Sequence, residues 1–138
     1  MAASNGYIGH GTTFQLGTAT FAQVDEINAP EIEVDDVEIT NMDSDDGYKE
    51  YIPGLIDGGS IGITLIFDAG DTTGQGTIKT KVDARATEAF TLTLPTATGA
   101  VWTGNGYLKG MSQPVPKDDK IMIETEMKVT GKPTLTIT

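Results

Sequence analysis

The 138-residue chain contains no cysteine and only one histidine, His10. Without cysteine, the chain can form no disulfide bond, thiolate nucleophile or cysteine-ligated metal centre. With one histidine, it can build no multi-histidine metal site. His10 stands between two glycines, which favours a solvated or packing role over a catalytic one. The residue types therefore indicate no cofactor and make an enzyme a poor interpretation.

Basic residues and long apolar runs are scarce as well. Nine Lys and Arg stand against twenty Asp and Glu, so the net charge is −11 at pH 7. Nucleic-acid binding by phosphate neutralisation needs basic side chains at the contact, which excludes that class of function. No apolar run approaches the roughly 18 residues of a membrane span, and the N-terminus lacks the basic and apolar regions of a secretory signal. We expect a single domain over residues 1–138 that contacts no membrane.

Apolar and polar residues alternate through several short segments, which is the pattern of half-buried β-strands. The clearest segments cover residues 60–68, 89–95, 120–130 and 133–138, and weaker ones cover 12–16 and 20–27. One short helix is predicted near Thr77–Ala84, where Ile78 and Val82 lie four residues apart on one face. Asp71, Thr72 and Thr73 offer N-cap side chains for it. The sequence therefore predicts a mainly β fold with one short flanking α-helix.

The acidic segment at residues 31–40 alternates imperfectly. Ile32 and Val34 occupy one parity, whereas Val37 and Ile39 occupy the other. A β-bulge at Asp35–Asp36 would bring these apolar residues onto one face that turns toward the core. The same bulge would align four carboxylates on the outward face, those of Glu31, Glu33, Asp35 and Glu38. Because a row of like charges destabilises a strand, the row suggests a purpose outside folding.

A long polar segment follows, at residues 41–59, and has no clean periodicity. Between Asp25 and Asp57 there are twelve acidic residues and one base, so this part of the chain carries the whole net charge. We predict an extended hairpin loop, a type of segment that is usually functional or disordered when it is this long. Aromatic side chains on such a loop often anchor a partner. The candidate contact residues are Asp43, Asp45, Asp46, Tyr48, Lys49, Tyr51 and Ile52.

Other interpretations of the acidic residues remain open. Residues 41–47 place oxygen-bearing side chains at alternate positions, as the start of an EF-hand does. The sixth position is Asp46 instead of glycine and the twelfth is Ile52 instead of glutamate, so no EF-hand results. An acidic carbohydrate- or calcium-binding β-sandwich module is the alternative function. A glycosidase with a carboxylate pair is a third, although no pair stands out.

Several segments resemble one protein family. The sequences KEYIPGL at 49–55 and VTGKPT at 129–134 are the more specific, and GTTF at 11–14 and Phe67–Asp68 complete the order. Together they resemble the tail tube (major tail) proteins of long-tailed, lambda-like bacteriophages. The resemblance implies a small β-sandwich subunit whose inner strands form a continuous barrel in a hexameric ring. It also implies that stacked rings form a hollow tube through which DNA is ejected.

The resemblance also implies roles for particular segments. An N-terminal arm at about 1–11 and a C-terminal arm at about 130–138 would order on assembly, with Lys132, Pro133 and Leu135 as assembly residues. We expect the C-terminal arm to restart as a strand at Thr134, because Pro133 cannot donate to a sheet ladder. The hairpin loop at 41–59 would reach toward a neighbouring ring. The four carboxylates Glu31, Glu33, Asp35 and Glu38 would face the lumen and repel DNA.

The implied partners are other copies of the chain, the tape-measure protein and the tail terminator or tip proteins. DNA would pass through the lumen without specific binding. The implied location is the tail tube of the virion, after assembly in the host cytoplasm.

Overall fold

The computed structural model describes residues 9–137, most of which lie in β-strands. The strands are β1 Thr13–Leu16, β2 Ala19–Thr20, β3 Val24–Asn28, β4 Glu33–Glu38, β5 Tyr51–Asp57, β6 Ser60–Ile66, β7 Glu88–Thr93, β8 Ala100–Ser112 and β9 Met122–Ile137. The α-helix, α1, spans Ile78–Ala84, and short 3-10 turns span Asp45–Gly47 and Gln75–Thr77. The mainly β fold with one short helix is confirmed. Most of the predicted N-terminal arm lies outside the described residues.

Seven strands form one antiparallel sheet in the order β2-β1-β7-β8-β9-β6-β3, which curls into a half-barrel. The central strands β8 and β9 have 13 and 16 residues, much more than their neighbours. β9 pairs with β6 between Met122 and Lys128, whereas β8 pairs with β9 along nearly its whole length. Strands β4 and β5 pair only with each other and form a separate two-stranded sheet. The sheet and this hairpin therefore define two distinct parts of the subunit.

The core lies on the side of the curled sheet that α1 covers. In β6 the alternate residues Ile61, Ile63 and Leu65 are buried, as the period-two pattern predicts. Phe67, which shares their parity, follows the end of β6 and is 40% exposed. Ile78 of α1 is fully buried against the sheet. Three aromatic residues meet in the same core, with ring centroids 5.6 Å apart for Phe14–Phe21 and 6.2 Å apart for Phe14–Phe90.

The connection between β6 and α1 is held by two polar side chains. The carboxylate of Asp71 accepts backbone N–H bonds from Ala22 at 3.0 Å, Gln75 at 3.0 Å and Gly74 at 3.1 Å. These bonds, that of Ala22 first, lower the pKa of Asp71. The amide of the buried Gln75 donates to the carbonyls of Ala22 at 2.8 Å and Ile66 at 2.9 Å. Asp71 therefore does not cap α1, whose N-cap is Thr77, but joins the β2–β3 connection to the β6–α1 connection.

The C-terminal residues continue β9 and do not restart at Thr134. The strand runs through Pro133, with a register shift against β8 between Thr103 and Asn105, and Ile137 still lies opposite Ala100. Pro133 is buried. A Cβ on Gly104 would lie 3.3 Å from the Cα of Pro133, so the two backbones approach closely. The predicted arm is thus part of the sheet, because the irregular register accommodates the proline without a break.

Candidate assembly surfaces

The β4–β5 hairpin projects from the sheet instead of covering the core. Every residue of β4 is exposed, and Ile32, Val34, Val37 and Ile39 are 44–46% exposed. The prediction that these four apolar residues face the core is therefore wrong for the single chain. The sequence pattern indicated a strand with apolar content, but it could not show that the strand leaves the sheet.

The register of the hairpin also changes the predicted grouping of carboxylates. The shift lies between Val34 and Asp36 as expected, but Gly54 and Leu55 of β5 lie opposite Asp35, so the extra residue belongs to β5. Because β4 itself is regular, its side chains alternate. Glu33 and Asp35 share one face, whereas Glu38 points to the other. The predicted single row of four carboxylates is therefore wrong.

The structure brings Glu31 and Glu33 together with acidic residues of β9. Both line a polar groove of about 920 Å³, together with Glu124, Glu126 and Lys128. Glu124 and Glu126 are exposed on the face of β9 opposite the core. Asp35 does not line this groove but a second, apolar one. Glu124 and Glu126 were not predicted as site residues, although their alternation with the buried Ile123, Thr125 and Met127 indicates a common outward face.

The second groove lies between the hairpin and the C-terminal half of β9. It has a volume of about 650 Å³ and is lined by Ile32, Leu55, Ile56 and residues 129–133, among others. Of the predicted assembly residues, Lys132 and Pro133 line this groove, and Leu135 lies exposed further along the strand. The hairpin root therefore runs alongside β9 in the direction of the C-terminus.

The orientation of the hairpin is set at its root. Lys128 Nζ lies 2.8 Å from Asp57 Oδ1, and the same carboxylate oxygen accepts the N–H of Gly59 at 2.9 Å. These bonds, with that of Lys128 the larger cause, lower the pKa of Asp57. The carbonyl of Gly59 accepts the N–H of Val129 at 3.0 Å. Gly59 has φ +75°, and a Cβ there would lie 2.2 Å from the carbonyl oxygen of Glu31, so only glycine fits this position.

The connection between β4 and β5 is shorter than the predicted loop at 41–59, because β5 occupies Tyr51–Asp57. The Pro53–Gly54 pair and the bulge hide the strand periodicity in the sequence. Asn41 Oδ1 accepts the N–H of Asp43 at 2.8 Å, and the Ser44 hydroxyl donates to Glu50 at 2.8 Å. These local bonds shape a compact tip over residues 41–50.

The hairpin and its tip expose most of the predicted contact residues. Asp43, Asp45, Asp46 and Lys49 form no ion pair with any of residues 9–137. Tyr48, Tyr51 and Ile52 are exposed as predicted. Met42, which is fully exposed, and Leu55, which is 84% exposed, were not among the predicted contact residues. Apolar side chains within a polar, acidic segment are the signal that could have identified both.

The part of the chain that the structure describes contains neither a metal-binding cluster nor a membrane-spanning helix. Between residues 9 and 137, no group of three or more His, Asp or Glu side chains could hold a metal ion. No helix in that range is long and apolar enough to cross a membrane.

The same fold occurs in tube-forming assemblies. A chain of the native gene transfer agent virion matches with a TM-score of 0.78 at 17% identity, over 95% of this chain and 99% of that one. A chain of the PVC sheath/tube terminator, from an extracellular contractile injection system, matches with a TM-score of 0.75 at 13% identity, over 98% and 99%. A chain of the SPP1 tail tube matches with a TM-score of 0.70 at 14% identity, over 95% and 79%. The fold is thus that of the tail tube class of proteins.

The sequence places the chain more closely within this class. A comparison with curated proteins finds no match. The family model of the lambda phage tail tube protein matches residues 7–136. Because this match covers nearly the whole sequence, the chain belongs to the lambda phage tail tube protein family. It is a structural protein of the bacteriophage virion, and the resemblance stated from the sequence is confirmed.

Proposed function

We propose that six copies of this chain form a ring and that the rings stack into a hollow tube that conducts DNA during ejection, without catalysis and without a cofactor. The observation that carries this proposal is the β4–β5 hairpin, whose apolar side chains are exposed in the single chain. Soluble monomers rarely expose large contiguous apolar surfaces unless these bind a partner. A second copy is the partner that a tube subunit requires.

The strand edges support the same proposal. A two-stranded hairpin is marginally stable by itself, and its outer edges carry unpaired backbone groups that favour pairing with another chain. Joining the hairpins of neighbouring copies around a ring would remove these edges. Such a ring is a closed head-to-tail contact, whereas the stacking of rings is an open one that repeats until another protein ends it.

The lumen is the finer part of the proposal. We place Glu31 and Glu33 on the inner wall together with Glu124 and Glu126, because the four line one polar groove. Asp35 shares a face of β4 with Glu33 but lines the apolar groove, and Glu38 lies on the opposite face, so both leave the proposed lumen set. Carboxylates facing DNA phosphates prevent adhesion, since the affinity for DNA comes from contacts with basic side chains. Salt screens this repulsion over about 8–10 Å, a distance that a narrow tube keeps relevant.

The remaining partners follow from this role. The tape-measure protein would fill the lumen before ejection, and a terminator and tip proteins would end the stack of rings. The fold likeness to a chain of a sheath/tube terminator supports a terminator that continues the same subunit architecture. Assembly would take place in the host cytoplasm, and the product would be the tail of the virion.

Negative-stain electron microscopy of the purified protein over a range of concentrations tests the proposal. We expect six-fold rings and hollow tubes whose length increases with protein concentration. Deletion of residues 44–49 should leave a folded chain that forms no long tubes, because it removes the exposed hairpin tip. A wild-type protein that remains monomeric at millimolar concentration, both alone and with phage tail tips, would contradict the proposal.

A further inference from the structure

The register of the sheet places the hairpin tip and the β8–β9 connection at opposite ends of the subunit. Met122 lies opposite Ile66 and Lys128 lies opposite Ser60, so β6 runs from the hairpin root toward the β8–β9 connection. From its root, the hairpin extends away from the β8–β9 connection, beside residues 129–133 of β9. At about 3.3 Å per residue, the seven residues of β5 and the seven of β6 have a combined strand length of roughly 45 Å. Surfaces at the two ends can therefore meet only between different copies.

The β8–β9 connection, residues 113–121, presents an exposed apolar residue in a fixed backbone. Val115 is 68% exposed and stands between Pro114 and Pro116, whose rings fix φ. The N–H of Met122 donates to the Pro114 carbonyl at 3.2 Å, and the N–H of Phe67 donates to the Ile121 carbonyl at 2.9 Å. The loop is thus anchored to the sheet at both of its ends.

Lys117 and Lys120 of the β8–β9 connection offer positive charges to an acidic tip, and both ends expose apolar side chains. Lys117 forms no ion pair with the described residues, and Lys120 has only a 3.8 Å contact, with its neighbour Asp119. The tip carries four acidic residues and one base, whereas residues 113–121 carry no net charge. The exposed Val115 and Phe67 at one end correspond to the exposed Met42 and Tyr48 at the other.

We propose that the β8–β9 connection is the receptor for the hairpin tip of a copy in the next ring. Tyr48 and Met42 of one copy pack on Val115 and Phe67 of the other, and Lys117 faces the carboxylates of Asp43, Asp45 and Asp46. This assignment rests on the proposed function, because it names the surface that the stacking contact uses. It makes the open head-to-tail contact specific to one pair of surfaces at opposite ends of the subunit.

A charge and polarity reversal at the receptor tests the assignment. The double variant Val115→Asp, Lys117→Glu places new negative charges opposite the acidic tip. Like-charge contacts across an interface are strongly unfavourable. We expect rings without tubes, or a concentration for half-maximal tube formation that is raised at least about tenfold, which corresponds to about 1.4 kcal/mol. The control Lys79→Glu repeats the Lys-to-Glu reversal on α1, where Lys79 pairs with Asp83 inside the helix. It should polymerise like the wild type.

Cross-linking provides a measurement that does not depend on how well a variant polymerises. Because the chain has no cysteine, the double variant Tyr48→Cys, Val115→Cys carries only the two introduced thiols. A short bis-maleimide should link its tubes into chains longer than six subunits, and single-cysteine variants should give no such chains. If the wild type forms tubes, the charge-reversal variant polymerises equally well and no long cross-linked chains appear, the receptor assignment is overturned but the proposed function is not. Wild-type protein that forms no tubes would instead contradict the proposed function.

Discussion

Replacement of Gly59 by alanine should destabilise the hairpin root for two reasons, an unfavourable backbone conformation and a steric clash. The residue has φ +75°, a left-handed conformation that costs a side-chain-bearing residue roughly 1–2 kcal/mol. In addition, the new Cβ would lie 2.2 Å from the carbonyl oxygen of Glu31 and 2.9 Å from its carbonyl carbon. Both atoms belong to the backbone, so relief requires the chain to move. Forced overpacking of this kind costs about 1–3 kcal/mol, which gives a total loss of about 2–5 kcal/mol.

The same chain contains matched controls for the conformational part of this cost. Gly47 and Gly131 have φ +76° and +77°, and a Cβ at either position would meet nothing within 4 Å. Gly47→Ala and Gly131→Ala should therefore lose only about 1–2 kcal/mol. Urea denaturation followed by circular dichroism gives the three free energies of unfolding at a common slope.

A movement at Gly59 would also break the bond from the Val129 N–H to its carbonyl. We therefore expect Gly59→Ala to impair tube formation more than the controls at temperatures where all three variants are folded. Equal losses of unfolding free energy in Gly59→Ala and Gly47→Ala would refute the argument from close approach to Glu31.

Three further predictions concern other parts of the subunit. Asp71→Ala should lower the unfolding free energy by about 2–3 kcal/mol, because three backbone N–H groups lose a charged acceptor. The folded-state pKa of Asp71 is lowered, so its stabilising contribution is present above the unfolded carboxyl pKa of about 3.9 and is lost as pH falls through the lowered value. Urea titrations from pH 7 to 2 should therefore show a smaller loss of unfolding free energy in Asp71→Asn than in the wild type. Arg85→Gly should stabilise the chain by about 1 kcal/mol, because Arg85 adopts φ 53° at the end of α1, where glycine is favoured; Arg85→Ala should give no such gain in thermal midpoint. Glu31→Lys, Glu33→Lys should still form tubes but retain duplex DNA at low salt and release it at high salt, and tubes without salt-dependent retention in a filter-binding assay would contradict the lumen assignment.

The strands of the core were predictable because each has one buried face and one face that points away from the core. Ile61, Ile63 and Leu65 alternate with residues that face outward, and burial of one face alone produces this period. The short helix was predictable for a similar reason, since Ile78 anchors it to the core. In each of these cases the buried residues pack against residues of the same chain.

The hairpin was predicted less well, because the sequence suggests that its apolar residues are buried, whereas the single chain leaves them exposed. Ile32 and Val37 suggested a buried face, yet both are exposed in the single subunit. The bulge was placed in the correct region but in the wrong strand, because the change of apolar parity requires an extra residue in β4 only if one face of β4 is buried, and β4 is exposed throughout. Pro53 and Gly54 are typical of turns, so the sequence predicts a loop where the structure has β5. Pro133 misled in the same way, because an irregular register lets it remain within β9.

The length of β9 has a mechanical consequence for a subunit of a tube under tension. Its 16 residues run from the β8–β9 connection past the hairpin root to the C-terminus. A pull on the hairpin enters this strand through the Lys128–Asp57 ion pair and the Val129–Gly59 bond, and leaves it through the bonds to β6 and β8. Because ladder bonds lie across the strands, a force along β9 loads them in shear. Many bonds then resist together, whereas a force across the sheet would open them one after another.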